Sequence, residues 1–210
     1  MQTPGRFITL EGGEGVGKST QAGLLAQALR AHGLEVVQTR EPGGSAGAEA
    51  IRDLLLTGTG DRWSTRAEAL LFAAARQDHI ARTILPSVTI GQWVVCDRFI
   101  DSSRAYQSAT GELSDAEIMS LHTIGSGGLM PDRTLLLAFD HAEGAKRARA
   151  RDGTAGDRIG DRDTTFHAGV SDRFAAIAAA EPARVRTVDA SGSTDQVTAR
   201  LVAALSDFLP

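Results

Sequence analysis

The chain has one cysteine, Cys96, among 210 residues. A single thiol cannot build an internal disulfide framework, and its scarcity suits a reducing compartment, so a cytoplasmic location is expected. Lying inside the apolar run "WVVCD", Cys96 reads as a small buried side chain. Positive charge is not in excess either. Lys and Arg number 22 against 26 Asp and Glu, a net charge of -4. No global basic field is there to attract a nucleic-acid polymer, and none is expected as a partner. No apolar run approaches a membrane span, and the opening "MQTPGRFITLEGG" has no apolar signal core, so no membrane partner is expected. The five histidines are scattered without metal-ligand spacing. What the chain does have is 42% hydrophobic residues, enough for a sizeable core. One α/β domain over 1–210 is expected.

Apolar runs bounded by glycine alternate with stretches of helical spacing. Strands are predicted at 7–11, 34–40, 93–97, 133–140 and 184–189. Helices are predicted at 18–31, at 45–58 with Ser45 as cap, and at roughly 65–85 with Pro86 bending or ending the last. Others are predicted near 101–107, 114–124, 142–151 and 163–180, and a final one has Val197, Leu201, Leu205 and Phe208 on one side. In the first helix Leu24, Leu25, Ala28 and Leu29 form the apolar face. Buried strands alternating with helices predict a parallel sheet covered on both faces. The glycine-rich, charged segment "DGTAGDRIGDR", 152–162, is expected to be a mobile lid, and "IGSGGLMPD", 124–132, a helix-to-strand connection.

One stretch carries most of the chemistry. "GGEGVGKS", Gly12 to Ser19, fits G-x-x-x-x-G-K-[ST] and sits between a predicted strand and a predicted helix. Glycines allow successive backbone N–H groups to turn toward one anion, and the helix N-terminus adds positive potential. Lys18 then bridges the outer phosphates of a nucleotide and Ser19 holds Mg²⁺. Thr20 suits a helix start or an α-phosphate contact. Further on, "VVCDR" ends a buried strand with a carboxylate and a guanidinium. Strand ends face the ligand crevice in open α/β sheets. Asp97 there can orient magnesium or its waters and Arg98 can hold a phosphate. An Asp–Arg pair of purely structural purpose has the same pattern.

Other uses of such a loop find little support. N-K-x-D, needed for guanine, is absent, and so is the transporter sequence "LSGGQ". A small-molecule kinase needs an acceptor pocket and a basic lid that excludes water. Lys146, Arg147, Arg149, Arg151 and Arg158 supply lid charge, although Lys146 and Arg149 also suit a solvated helix face. In "LLFAAARQ", Phe72 and Arg76 are four apart and point the same way on a helix. A ring to stack and a guanidinium to hydrogen-bond suit a nucleobase. Taken alone, the spacing also describes a core phenylalanine and a surface arginine.

In chain order, "GGEGVGKST", "TREPGG", "EALLFAAAR", "DRFIDSSRAYQ", "PDRTLLL" and "KRARAR…DRI" together resemble the thymidylate kinase family over nearly the whole chain. The resemblance implies a P-loop NTPase-type three-layer α/β/α fold, with a five-stranded parallel sheet and a short lid near 150–163. It implies transfer of the ATP γ-phosphate to dTMP with Mg²⁺, in a homodimer. On matching positions it places ATP on Gly12, Gly13, Glu14, Gly15, Val16, Gly17, Lys18, Ser19 and Thr20, with Arg147 and Arg151 from the lid. For dTMP it implies Phe72 on the thymine face and Arg76 on a base carbonyl, with Pro42 near the methyl group. Arg40 and Arg98 hold the dTMP phosphate, Tyr106 and Gln107 lie by sugar and base, and Glu14 helps to position Arg98. Lys18, Arg98, Glu14 and the lid arginine Arg158 are the expected catalytic set, with Ser19 and Asp97 at the metal. The chain departs from the family pattern at "SATGELS" after Gln107, at Phe99 after the arginine, and in its lid, which reads "DRIG". The nearest alternatives are a kinase for another nucleoside or nucleoside monophosphate, and a nucleotide-dependent switch that binds a partner protein.

Overall fold

The computed structural model describes residues 5–58, 62–138, 160 and 162–209. Five strands form at β1 (Phe7–Glu11), β2 (Val36–Arg40), β3 (Trp93–Asp97), β4 (Arg133–Ala138) and β5 (Val185–Asp189). All pair in parallel, in the order β2-β3-β1-β4-β5. β1 and β3 are buried at every position, in keeping with their largely apolar sequences.

Alternate residues of one strand face opposite layers. Ile8 and Leu10 of β1 pack with Leu25 and Leu29 of α1 (Lys18–Ala31) and with Leu201 of α8 (Thr194–Ala203). Phe7 of the same strand packs with Ala69 of α3 (Thr65–His79) and Ile118 of α6 (Asp115–Ser126) on the other side. The remaining helices are α2 (Ala46–Leu56), α4 (Leu85–Thr89), α5 (Ile100–Gln107) and α7 (Thr164–Ala180). The three layers, the five strands and their direction match the sequence reading.

Two local differences have physical reasons. The buried stripe of α1 is Ala22, Leu25, Ala26 and Leu29, with Leu24 only partly covered. Pro86 does not end the third predicted helix. A π-helical turn at Ile80–Ile84 shifts the hydrogen-bond register first, and Pro86 then falls in the first turn of α4, where a missing N–H costs little. The predicted helix at 142–151 and most of the lid near 150–163 lie outside the described residues.

Candidate active site

From β1 the chain runs by way of α1 to β2, on one side of the sheet order, and from β3 it continues to β4 on the other. The crevice where these connections diverge lies beyond the ends of β1 and β3, the usual ligand position in such sheets. The phosphate loop leaves β1 at this point. Gly12 adopts φ +142°, and a Cβ there would lie 2.6 Å from the Leu137 carbonyl oxygen, so only glycine lets the loop rest against β4. Lys18 opens α1 and folds back over the loop, its Nζ donating to the carbonyls of Gly12 (3.1 Å) and Gly13 (2.6 Å). Burial, with Arg98 beside it, pushes the Lys18 amine down to about 8.

Ser19 Oγ donates to Asp97 Oδ2 at 2.5 Å. Asp97 Oδ1 is buried and, among the described residues, has no hydrogen-bond partner. A hydroxyl beside a carboxylate with a spare oxygen is a suitable donor set for Mg²⁺, which keeps most of its ligands as water and phosphate. Among the described residues no group of three or more His, Cys, Asp or Glu gathers as a metal cage.

Arg98 follows β3 with φ +70°. Its Nη1 donates to the Gly12 carbonyl (3.3 Å) and to Ser102 Oγ (3.1 Å), and Nη2 to Glu14 Oε1 (2.5 Å) and Tyr106 Oη (3.2 Å). The Tyr106 hydroxyl also donates to Glu14, at 3.0 Å. Burial opposes both charges of this group. Even so, Arg98 and Lys18 hold the Glu14 carboxyl below its usual range, and the Glu14 and Asp97 carboxylates keep the Arg98 guanidinium firmly protonated. Burial raises the Tyr106 phenol, which stays neutral and able to donate.

Arg76 is buried and braced. Its Nε donates to Glu41 Oε2 (2.8 Å) and its Nη2 to Ser103 Oγ (2.8 Å) and the Phe99 carbonyl (3.3 Å). Nη1 makes no hydrogen bond among the described residues. Glu41 is braced in turn by His79 Nδ1 at 3.1 Å, and His79 Nε2 reaches Thr39 Oγ1 at 2.7 Å.

Lys18, Ser19, Glu41, Arg76, Asp97, Arg98 and Tyr106 line one cavity of about 550 Å³, a size suited to small-molecule ligands. Of the residues expected from sequence, Glu14, Gly15, Gly17, Lys18, Ser19, Thr20, Arg40, Pro42, Phe72, Arg76, Asp97, Arg98, Tyr106 and Gln107 line it. Gly12 and Gly13 support it through the carbonyls on Lys18, whereas Val16 packs against the core. Arg40 is half-exposed and paired with Glu49 at 2.9 Å. The Gln107 amide oxygen is buried with no hydrogen-bond partner among the described residues. Arg147, Arg151 and Arg158 lie outside the described residues. Sequence reasoning missed Glu11, Glu41, His79, Ser102 and Ser103. For Glu11 a signal was present, since a carboxylate closing a largely apolar, buried strand must find partners.

A parallel sheet with this loop at its switch point, and with lysine, hydroxyl and carboxylate converging there, defines a P-loop NTPase. Comparison with known proteins narrows the class. The sequence profile of the thymidylate kinase family matches residues 10–201. A thymidylate kinase of Rhizorhabdus wittichii is 63% identical over 207 residues, covering 99% of this chain and all of that protein. Another, from Bradyrhizobium sp. (strain ORS 278), is 49% identical over 92% of this chain and 86% of its own length. The crystal structure of thymidylate kinase from Ehrlichia chaffeensis superimposes with a TM-score of 0.78 at 31% identity, covering 97% of this chain and all of that one. The chain belongs to the thymidylate kinase family.

Proposed function

We propose that the cavity holds ATP on the Gly12–Thr20 loop and dTMP between Phe72 and Arg98, with the two phosphate ends meeting at Gly12. The overall reaction is that of the family: ATP phosphorylates dTMP to dTDP. The observation that carries the arrangement is a shared atom. Lys18 Nζ, the donor-side cation, and Arg98 Nη1, the acceptor-side cation, both bond the Gly12 carbonyl, at 3.1 and 3.3 Å. Their charges converge where a transferring phosphoryl group would pass.

Phosphoryl transfer asks for positioning and charge neutralisation more than covalent help. The acceptor is already an anion, so no strong base is required. Arg98 and Arg40 offset the repulsion between the approaching phosphates, and Lys18 neutralises charge on the group in flight. Ser19 and Asp97 would hold Mg²⁺, which supplies further neutralisation of the ATP phosphates when bound. Arg147, Arg151 and Arg158 would close over ATP from the lid and exclude water, with Arg158 the arginine on the transferring group. On the acceptor side Phe72 stacks the base, Arg76 Nη1 bonds a base carbonyl, and Pro42, Tyr106 and Gln107 shape the rest of the pocket. We also read the whole chain as one domain with a lid insert, working as a cytoplasmic homodimer. Among the described residues no helix is long and apolar enough to cross a membrane.

A coupled assay across nucleoside monophosphates tests the reading. Rapid ADP release with dTMP, and little with CMP or with thymidine, is expected. Equal turnover with another monophosphate would make that compound the substrate, and slow hydrolysis alone would return the chain to the switch class.

A further inference from the structure

Glu11 ends β1 directly beneath the phosphate loop and is fully buried. No step above uses it, yet both of its oxygens are committed to the segment that carries Arg98. Oε1 accepts the Phe99 N–H at 2.7 Å, and Oε2 accepts the Ser102 hydroxyl at 2.6 Å. The same Ser102 Oγ accepts from Arg98 Nη1 at 3.1 Å. One buried carboxyl group thus grips Arg98 twice: through the main chain just after it, and through a hydroxyl against its guanidinium.

Arg98 needs such a grip. It is the one non-glycine residue with positive φ, at +70°, among the described residues. An L-residue keeps that conformation only where its surroundings impose it. Its flanking amides are tied to consecutive residues of β1, its own N–H to the Leu10 carbonyl at 2.9 Å and the next to Glu11. The tie to Glu11 is the only one of the two made by a side chain, and so the only one that substitution can remove.

We infer that Glu11 is a positioning residue that locks Arg98 in its left-handed turn and presents its guanidinium to the acceptor phosphate. The inference rests on the reading of Arg98 as a ligand of the dTMP phosphate. A preformed arginine needs no reorganisation when substrate arrives, so removing its brace lowers affinity for the acceptor and leaves the ATP side alone.

The test is calorimetric titration of dTMP and of ATP into Glu11→Ala, Glu11→Gln, Ser102→Ala and Arg98→Ala, with the doubles that include Arg98→Ala. Glu11→Ala is expected to weaken dTMP by about tenfold, roughly the net worth of one buried hydrogen bond. ATP affinity should stay within about twofold, and Gln, which keeps an acceptor for the Phe99 N–H, should restore most of the loss. In the Arg98→Ala background the same change should cost less than about twofold, because the two residues act as a unit. Should Glu11→Ala fail to fold, Ser102→Ala, which deletes one hydroxyl, decides through the same double-variant comparison. Additive losses, or wild-type dTMP affinity in Glu11→Ala, would overturn the inference while the role of Arg98 stands. Wild-type dTMP affinity in Arg98→Ala would overturn that role and this inference with it.

Discussion

Lys18 is held by the carbonyls of two loop residues and by burial that lowers its amine to about 8. An anion in the cradle restores the balance in favour of the charged form. Replacing it with alanine should therefore leave the fold intact and reduce kcat on the order of 10²–10³-fold, the usual cost of one preorganised charge contact. Steady-state kinetics on a variant with an unchanged melting curve checks this. Glu11 gives a prediction of opposite character. Burial first, and the nearby Asp101 charge second, raise its carboxyl from 4.5 to about 8. Between those values the folded chain keeps a proton that the unfolded chain has released, so this group's contribution to stability falls as pH rises. Glu11→Gln has no proton to lose. The Tm of the wild type relative to Glu11→Gln should drop steadily from pH 4.5 to about 8, and a gap that is flat with pH would show that Glu11 titrates normally. The two residues also mark what was legible. Lys18 lies in a contiguous motif whose spacing states its use. Glu11 acts across 88 residues and Glu41 across 35, and no local pattern encodes partners that distant.

At the scale of elements, strands and helices were legible because periodicity and capping are local. Ser114 and Ser193 each close a capping box, with Glu117 and Gln196 three residues on. The π-helical turn at Ile80–Ile84 was not legible, since helical and π-helical residues share one composition. Its position matters for the site. Thr83 Oγ1 donates to the Gly44 carbonyl at 2.7 Å, and His79, at the end of α3, braces Glu41 and thereby Arg76. The loop after β2 thus lies against the helix that carries the base-side residues. Gly44 has φ +84°, and a Cβ there would sit 2.4 Å from both His79 Nε2 and Thr39 Oγ1. Gly44→Ala must displace His79 and strain the backbone, by about 1–3 kcal/mol for the conformation alone. A lower Tm is expected, together with a several-fold rise in the dTMP KM and an unchanged ATP KM. If both KM values rise together, the loop supports the whole cleft instead of its base side.

For the whole molecule, the sheet order brings β1 and β3 side by side, so Lys18, Ser19, Asp97 and Arg98 meet at their ends, while Arg40 and Pro42 come from the end of β2 and Phe72 and Arg76 from α3. The same order leaves α3 and α6 packed together as part of one outer layer. That layer has an apolar outer face. Arg66 and Leu70 of α3, with Leu113 and Leu121, line a groove of about 380 Å³ between the helices. Leu70 is 56% exposed and Ile124, three residues beyond Leu121 on α6, is 84% exposed. Spacings of three and four place Glu117, Leu121 and Ile124 along one face of α6. Leu70, in the groove, and Ile124, on the same face of α6 as Leu121, are two large exposed aliphatic side chains on neighbouring helices, a pattern that suits a contact between copies. We propose this face as the contact of the homodimer that the family resemblance implies. Sedimentation should give a mass of twice 22.1 kDa for the wild type. Leu70→Glu or Ile124→Glu, each placing a charge in the contact, should shift the equilibrium to monomer without lowering the melting temperature of the monomer itself. A wild type that sediments as a monomer would remove the dimer, and a dimer that survives both substitutions would move it to another face.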